Sequence, residues 1–69
     1  MNHLPLAARH WSVGQKIKHL ERAAANEDRA ALSEREWPHH RGQSVRAAAE
    51  MRAQIEELKA RQAAIRQAA

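Results

Sequence analysis

Residues 48–69, AAEMRAQIEELKARQAAIRQAA, decide the fold of this 69-residue chain. Seven seam positions recur alternately three and four residues apart within it: Ala48, Met51, Ile55, Leu58, Gln62, Ile65 and Ala69. Their mean spacing of about 3.5 residues is the period at which a helix presents one narrow apolar seam to a partner helix. We therefore expect a long helix here that packs lengthwise against another helix.

Helix two is predicted to cover residues 44–69. Ser44 is a good N-cap residue, and residues 45–67 contain no Gly or Pro and consist mostly of strong helix formers. Upstream, Pro38 disfavours helical geometry at Trp37, which predicts the end of the preceding helix. Residues 38–43 are then expected to form the connecting loop.

Helix one has a start signal in the pair Ser12 and Gln15, which form an S-x-x-Q capping box. The residues that follow carry one apolar stripe at helical spacing, made by Val13, Ile17, Leu20 and Ala24. The stripe falters at residues 26–28 and resumes with a shifted phase. Helix one is therefore predicted over residues 12–37, with a possible break near residue 26.

The fold class indicated by these patterns is an all-α helical hairpin, in a single domain with residues 1–11 as a leader. Much of the 43% apolar content is alanine, which adds little area to a core, so a lone copy of the chain is expected to be marginally stable. The chain has no cysteine, so neither a disulfide nor a zinc site with thiolate ligands can stabilise it. We therefore expect it to gain stability by sharing a core with a second subunit.

The charges beside the seam indicate which helix it prefers. The flanking positions are mostly basic, and they are Arg52, Gln54, Lys59, Arg61 and Arg66. Pairing this helix with a copy of itself would bring cations together, so an acidic partner helix is favoured. Helix one supplies candidate acids in Glu21, Glu27, Asp28 and Glu34. We expect a homodimer of hairpins in a four-helix-bundle-like or coiled-coil assembly, with core and dimer interface at Ile17, Leu20, Met51, Ile55, Leu58 and Ile65.

The two tryptophans lie at predicted helix boundaries, where such a ring either closes a core or forms an exposed anchor for a partner. Trp37 is the better candidate anchor because Pro38 restricts its backbone. Together with Arg41 and Arg46 it forms the predicted partner-binding surface.

No pattern of catalytic or ligand-binding residues is present in the sequence. His39 and His40 are adjacent and cannot share one helical face, and there is no H-E-x-x-H, glycine-rich phosphate loop or nucleophile elbow. We therefore predict no metal, no cofactor and no enzymatic activity. No apolar run approaches the ~18 residues of a membrane span, so we expect no membrane association and a cytoplasmic location.

Nucleic-acid binding is the alternative function. Helix two and its approach carry cations that could follow phosphates, namely Arg41, Arg46, Arg52, Lys59, Arg61 and Arg66. Acidic residues interrupt this surface, and no helix-turn-helix spacing is present. A second basic cluster near the N-terminus could serve an anionic surface, and it contains Arg9, His10, Lys16, Lys18 and His19 with Trp11.

The chain resembles the short, alanine- and arginine-rich helical proteins that temperate bacteriophages make early to bind and disable host proteins. The resemblance covers length, composition and the two predicted helices on either side of Trp37-Pro38-His39-His40. Some of those proteins are dimers of helical hairpins that inhibit host transcriptional activators, including quorum-sensing regulators, or pilus motor ATPases, and the resemblance implies inhibitory protein binding. No motif within it assigns a role to a particular residue.

Overall fold

A computed structural model describes residues 2–33 and 38–68 of the chain. The described residues form a short 3₁₀ helix, Leu6–His10, followed by α1, Val13–Leu32, and α2, Pro38–Ala68, with no strand among them. The two α helices pack against each other as an antiparallel hairpin. The prediction of an all-α helical hairpin is therefore confirmed.

Helix α1 begins where the capping box predicts. The Gln15 backbone N–H donates to Ser12 Oγ at 3.2 Å, and the Ser12 backbone N–H donates to Gln15 Oε1 at 2.8 Å. Two backbone donors that lack helical partners are thereby satisfied. Local side-chain chemistry alone sets this boundary.

The possible break near Asn26 is absent, and α1 ends earlier than predicted. The helix is continuous through Asn26, whose exposed side chain accepts a hydrogen bond from Arg29 Nη2 at 2.6 Å. It ends at Leu32, because Ser33 already has extended backbone geometry, with φ −68° and ψ 123°. Serine favours caps and turns over helix interiors. Residues 34–37, the last part of predicted helix one, lie outside the described residues.

Helix α2 starts at Pro38, so the predicted loop over residues 38–43 is wrong. Proline suits the first position of a helix, since its fixed φ is helical and its missing N–H would have no partner there. Gly42 also sits within α2, and a Cβ built there would meet no neighbour within 4 Å. Ser44 is consequently an interior residue of the helix and not its N-cap.

The core is a single cluster between the two helices. Its buried members are Ile17, Leu20, Ala24, Met51, Ile55 and Leu58, with Leu4, Val13, Ala23 and Ala47 packed against it. Leu20 is wholly buried, at 0% exposure. Five of the six residues predicted for the core and dimer interface therefore lie inside one hairpin. The sixth, Ile65, is 65% exposed, because it lies one heptad beyond Leu58, the last buried seam residue.

The leader is a third packing element, which its weak sequence pattern did not predict. The His3 backbone N–H donates to Gln54 Oε1 at 3.0 Å, and His3 Nε2 lies 2.7 Å from Glu50 Oε2. Gln54 Nε2 also donates to Asn2 Oδ1 at 2.7 Å. These contacts hold the leader along one flank of α2, where Leu4 packs against the core.

The resulting molecule is elongated, measuring 49 × 22 × 17 Å. Its accessible surface is 5544 Å², whereas a compact monomer of 7.8 kDa exposes about 4,400 Å². The hairpin thus leaves about a quarter more surface exposed than a globular chain of the same mass.

Candidate interaction surface

The predicted partner-binding residues do not converge on one patch. Arg41 and Arg46 are both exposed on the first turns of α2. Five residues of α helix rotate the side-chain direction by about 140°, so the two guanidinium groups lie on different sides of α2. Trp37, the predicted anchor, lies outside the described residues. Arg41 and Arg46 therefore belong to separate surfaces.

Arg41 instead borders an apolar surface at the connected end of the hairpin. Leu32 is 76% exposed and Val45 is 55% exposed, and both line a shallow depression of about 350 Å³. Ala31, Asp28 and Arg41 complete its lining. We call Leu32, Val45 and Arg41 the hairpin-end patch. Large apolar side chains grouped on a surface in this way are typical of interaction sites.

Sequence reasoning missed Leu32 and Val45 as surface residues. A signal for Leu32 was present, because it lies twelve residues after Leu20, which rotates its side chain about 120° from that of Leu20 and places it at the edge of the core stripe. Val45 was obscured by the assumption that helix two begins beside it. With α2 starting at Pro38, Val45 lies two turns into the helix, where it is more than half exposed.

The acidic residues of α1 meet the basic side of α2 within one hairpin. Arg52 donates from both terminal nitrogens to Asp28, with Nη1 at 3.3 Å from Oδ1 and Nη2 bonded to Oδ2. The hydrogen bond from Arg52 lowers the pKa of Asp28, and the same bond raises the pKa of Arg52. Glu21 also borders a cleft together with Arg52 and Lys59. The charge matching predicted between helices therefore operates inside the chain.

A second charged surface lies at the other end of α1. Trp11 contacts His19, with the ring centroids 5.2 Å apart and the planes tilted by 59°. A depression of about 280 Å³ is lined by Trp11, Gln15, Lys18, His19 and Arg22. No carboxylate lines it. This surface is cationic and includes part of the N-terminal basic cluster noted in the sequence.

The described parts of the chain, residues 2–33 and 38–68, hold no group of three or more His, Cys, Asp or Glu side chains placed to bind a metal ion. Neither α1 nor α2 has a stretch apolar enough to cross a lipid bilayer. The depressions on the described surface are open and small, in the range of about 270 to 350 Å³. The features that stand out are thus exposed patches on helices.

Comparison with protein-family models, curated proteins and solved structures finds no match to this chain.

Proposed function

We propose that this chain is a non-enzymatic protein-interaction module, a homodimer of helical hairpins that binds and inhibits another protein such as a transcriptional regulator. The observation that carries the proposal is the hairpin-end patch, where Leu32 and Val45 are exposed beside Arg41. Large apolar side chains grouped on a surface are typical of interaction sites, and arginine is among the residues enriched at interface hot spots. Trp37, five residues after Leu32 in the chain, is the anchor we assign to the same end.

The inhibitory role and the cytoplasmic setting are supported by the resemblance to early bacteriophage proteins. Those proteins are short helical chains that act by occupying a host protein, which requires a docking surface and no catalytic site. The hairpin-end patch is the surface that we assign to this task.

Two observations support the homodimer. The chain exposes about 1,100 Å² more than a compact monomer of its mass, and a standard interface covers about 800 Å² on each partner. Ile65 continues the apolar seam of α2 beyond the core and is left exposed at its far end. We propose that the second subunit covers Ile65.

The dimer is tested by replacing Ile65, because the other predicted interface residues lie in the core of the hairpin. Ile65→Asp is expected to shift wild-type dimers to monomers in sedimentation equilibrium while leaving helix content unchanged. Gln67→Asp is the matched control, since it adds the same charge about 160° farther round the helix. A wild-type chain that sediments as a cooperatively melting monomer at micromolar concentration would overturn the dimer.

The partner surface is tested by capture from a host lysate and reconstitution with the purified partner. Wild-type chain and Leu6→Asp should both retain the partner, because Leu6 is 90% exposed on the leader, away from the hairpin-end patch. Val45→Asp and Trp37→Ala should lose it and should no longer inhibit the partner's activity. Retention by all four proteins would refute the assignment of this surface.

The alternative function, a DNA- or RNA-binding accessory role, has one favourable observation. Arg41, Lys59 and Arg66 recur on one side of α2, at spacings of eighteen and seven residues. Arg52 lies on the same side, but its guanidinium is engaged by Asp28, and Lys59 Nζ lies 3.9 Å from Glu56 Oε1. Gel shifts at two salt concentrations separate the functions, because phosphate binding weakens steeply with salt.

A further inference from the structure

We infer that the outer face of α1 is a second binding surface, which receives an acidic helical segment of another protein. We call this surface the α1 basic face, and its residues are Trp11, Gln15, Lys18, His19, Arg22 and Arg29. It extends along α1 toward the hairpin-end patch: Arg22 lies ten residues, about 15 Å, before Leu32, and Arg29 lies three residues before it. The inference goes beyond the proposed function, and its test variants, at Lys18 and Arg22, leave the residues that line the hairpin-end depression unchanged.

The spacing of the cations is the first part of the argument. Lys18, Arg22 and Arg29 follow one another at four and seven residues, so they lie on the same side of α1 with rises of about 6 and 10 Å. Lys18 and Arg22 are exposed and form no ion pair in the described parts of the chain. The described polar contact of Arg29 is its hydrogen bond to Asn26. The cations are thus available for an external anion.

Trp11 provides a fixed apolar wall beside these cations. Its backbone N–H donates to the Ala8 carbonyl at 2.9 Å, and the next residue, Ser12, is held by the capping box. The ring is partly exposed and rests against His19. An anchor whose backbone is already positioned loses less conformational freedom on binding. The depression beside it accepts a side chain of the incoming segment.

A second helix lying beside α1 can place three carboxylates opposite the three cations if they are separated by four and then seven residues. The order of the two intervals is reversed if that helix runs antiparallel to α1. The charge complementarity of such a segment with the α1 basic face identifies the occupant. An extended polynucleotide fits less well, because evenly spaced phosphates do not reproduce the unequal intervals of about 6 and 10 Å between the cations. The surface consequently favours a short, helical, acidic partner.

The test uses Trp11 as its reporter. In a Trp37→Phe background Trp11 is the sole tryptophan, and its fluorescence is followed during titration with an alanine-rich helical peptide carrying glutamates four and seven residues apart. Saturable binding is expected, with affinity about tenfold lower for a matched peptide that has glutamines at those positions. The variant Lys18→Gln/Arg22→Gln should bind the glutamate peptide with an affinity about tenfold lower than that of the parent protein.

The control variant is Arg46→Gln/Arg61→Gln, which removes the same charge from exposed positions of α2 and should bind like the parent protein. Circular dichroism confirms that all variants remain folded. Absence of saturation, equal affinity for the glutamine peptide, or an unchanged affinity in Lys18→Gln/Arg22→Gln would overturn the inference. Equally tight binding of a single-stranded oligothymidylate would overturn it too, in favour of nucleic acid.

Discussion

Asp28 of α1 and Arg52 of α2 are joined by a bidentate ion pair across the hairpin, 24 residues apart in sequence. The planar guanidinium matches both carboxylate oxygens, so the pair constrains orientation as well as distance. Because the two groups must face each other to form it, the pair favours the helix register in which it occurs. Both side chains are about half exposed, so its contribution to stability is small.

Acid is expected to weaken the hairpin through this pair. Because the pKa of Asp28 in the folded chain lies below its ordinary value of 3.8, the stabilisation is complete above pH 3.8 and is lost as the pH falls through the lower, folded value. Arg52→Gln should melt at a lower temperature than wild type at about pH 6 and approach it near pH 2. Arg46→Gln, which removes the same charge elsewhere, should keep the wild-type pH profile. If the melting temperatures of wild type and Arg52→Gln differed by the same amount at every pH, the ion pair would not be the cause of the acid sensitivity.

The core prediction concerns Leu20, the one large side chain that is wholly buried. Leu20→Ala is expected to cost about 2 to 5 kcal/mol, because a buried leucine leaves a cavity when truncated. In a chain with so small a core, this loss should remove most of the folded population. Leu6→Ala, at an exposed position, should change the free energy of unfolding by less than about 0.5 kcal/mol. Urea titrations followed by circular dichroism measure both.

The start of α2 at Pro38 can be tested by comparing alanine substitutions at two serines, Ser12 and Ser44. Ser12→Ala removes a true N-cap and should destabilise the chain by about 1 kcal/mol. Ser44→Ala should be neutral or stabilising by a few tenths of a kcal/mol, since alanine is the better residue in a helix interior. If Ser44→Ala lost as much stability as Ser12→Ala, the result would support a shorter helix that begins after Ser44. Thermal unfolding of the two variants decides between these outcomes.

The attachment of the leader depends on Gln54, which bonds both Asn2 and His3. Gln54→Ala should release the leader and speed amide hydrogen exchange at Ala8 and Trp11, whose backbone N–H groups are bonded within it. Gln43→Ala, at an exposed position of α2, is the matched control. Unchanged exchange at both amides would show that the leader is held by its other contacts, the His3–Glu50 pair and the packing of Leu4 against the core.

The sequence predicted those features that depend on neighbours a few residues apart. The seam from Ala48 to Leu58 and the capping box at Ser12 both depend on the spacing of residues that are close in sequence, and both appear as expected. The start of α2 was harder to predict, because a proline both disfavours helix before it and favours helix after it. The structure follows the second tendency at Pro38, and the same residue therefore misled the prediction of the loop.

The remaining features depend on residues that are distant in sequence. The contacts of Asn2 and His3 with α2 join positions 47 to 52 residues apart, and no local pattern marks them. The exposure of Leu32 and Val45 follows from how far α1 covers α2, which depends on where α1 ends and α2 begins. The separation of Arg41 from Arg46 likewise required the knowledge that both lie on one continuous helix.

That α2 is unbroken across 31 residues sets the reach of the molecule. Twenty residues of straight helix hold Val45 and Ile65 about 30 Å apart. A subunit joined to its twin near Ile65 would consequently keep its opposite tip clear of the contact. Each dimer would then have two independent binding sites, one hairpin-end patch on each subunit, and would bind one target molecule per chain.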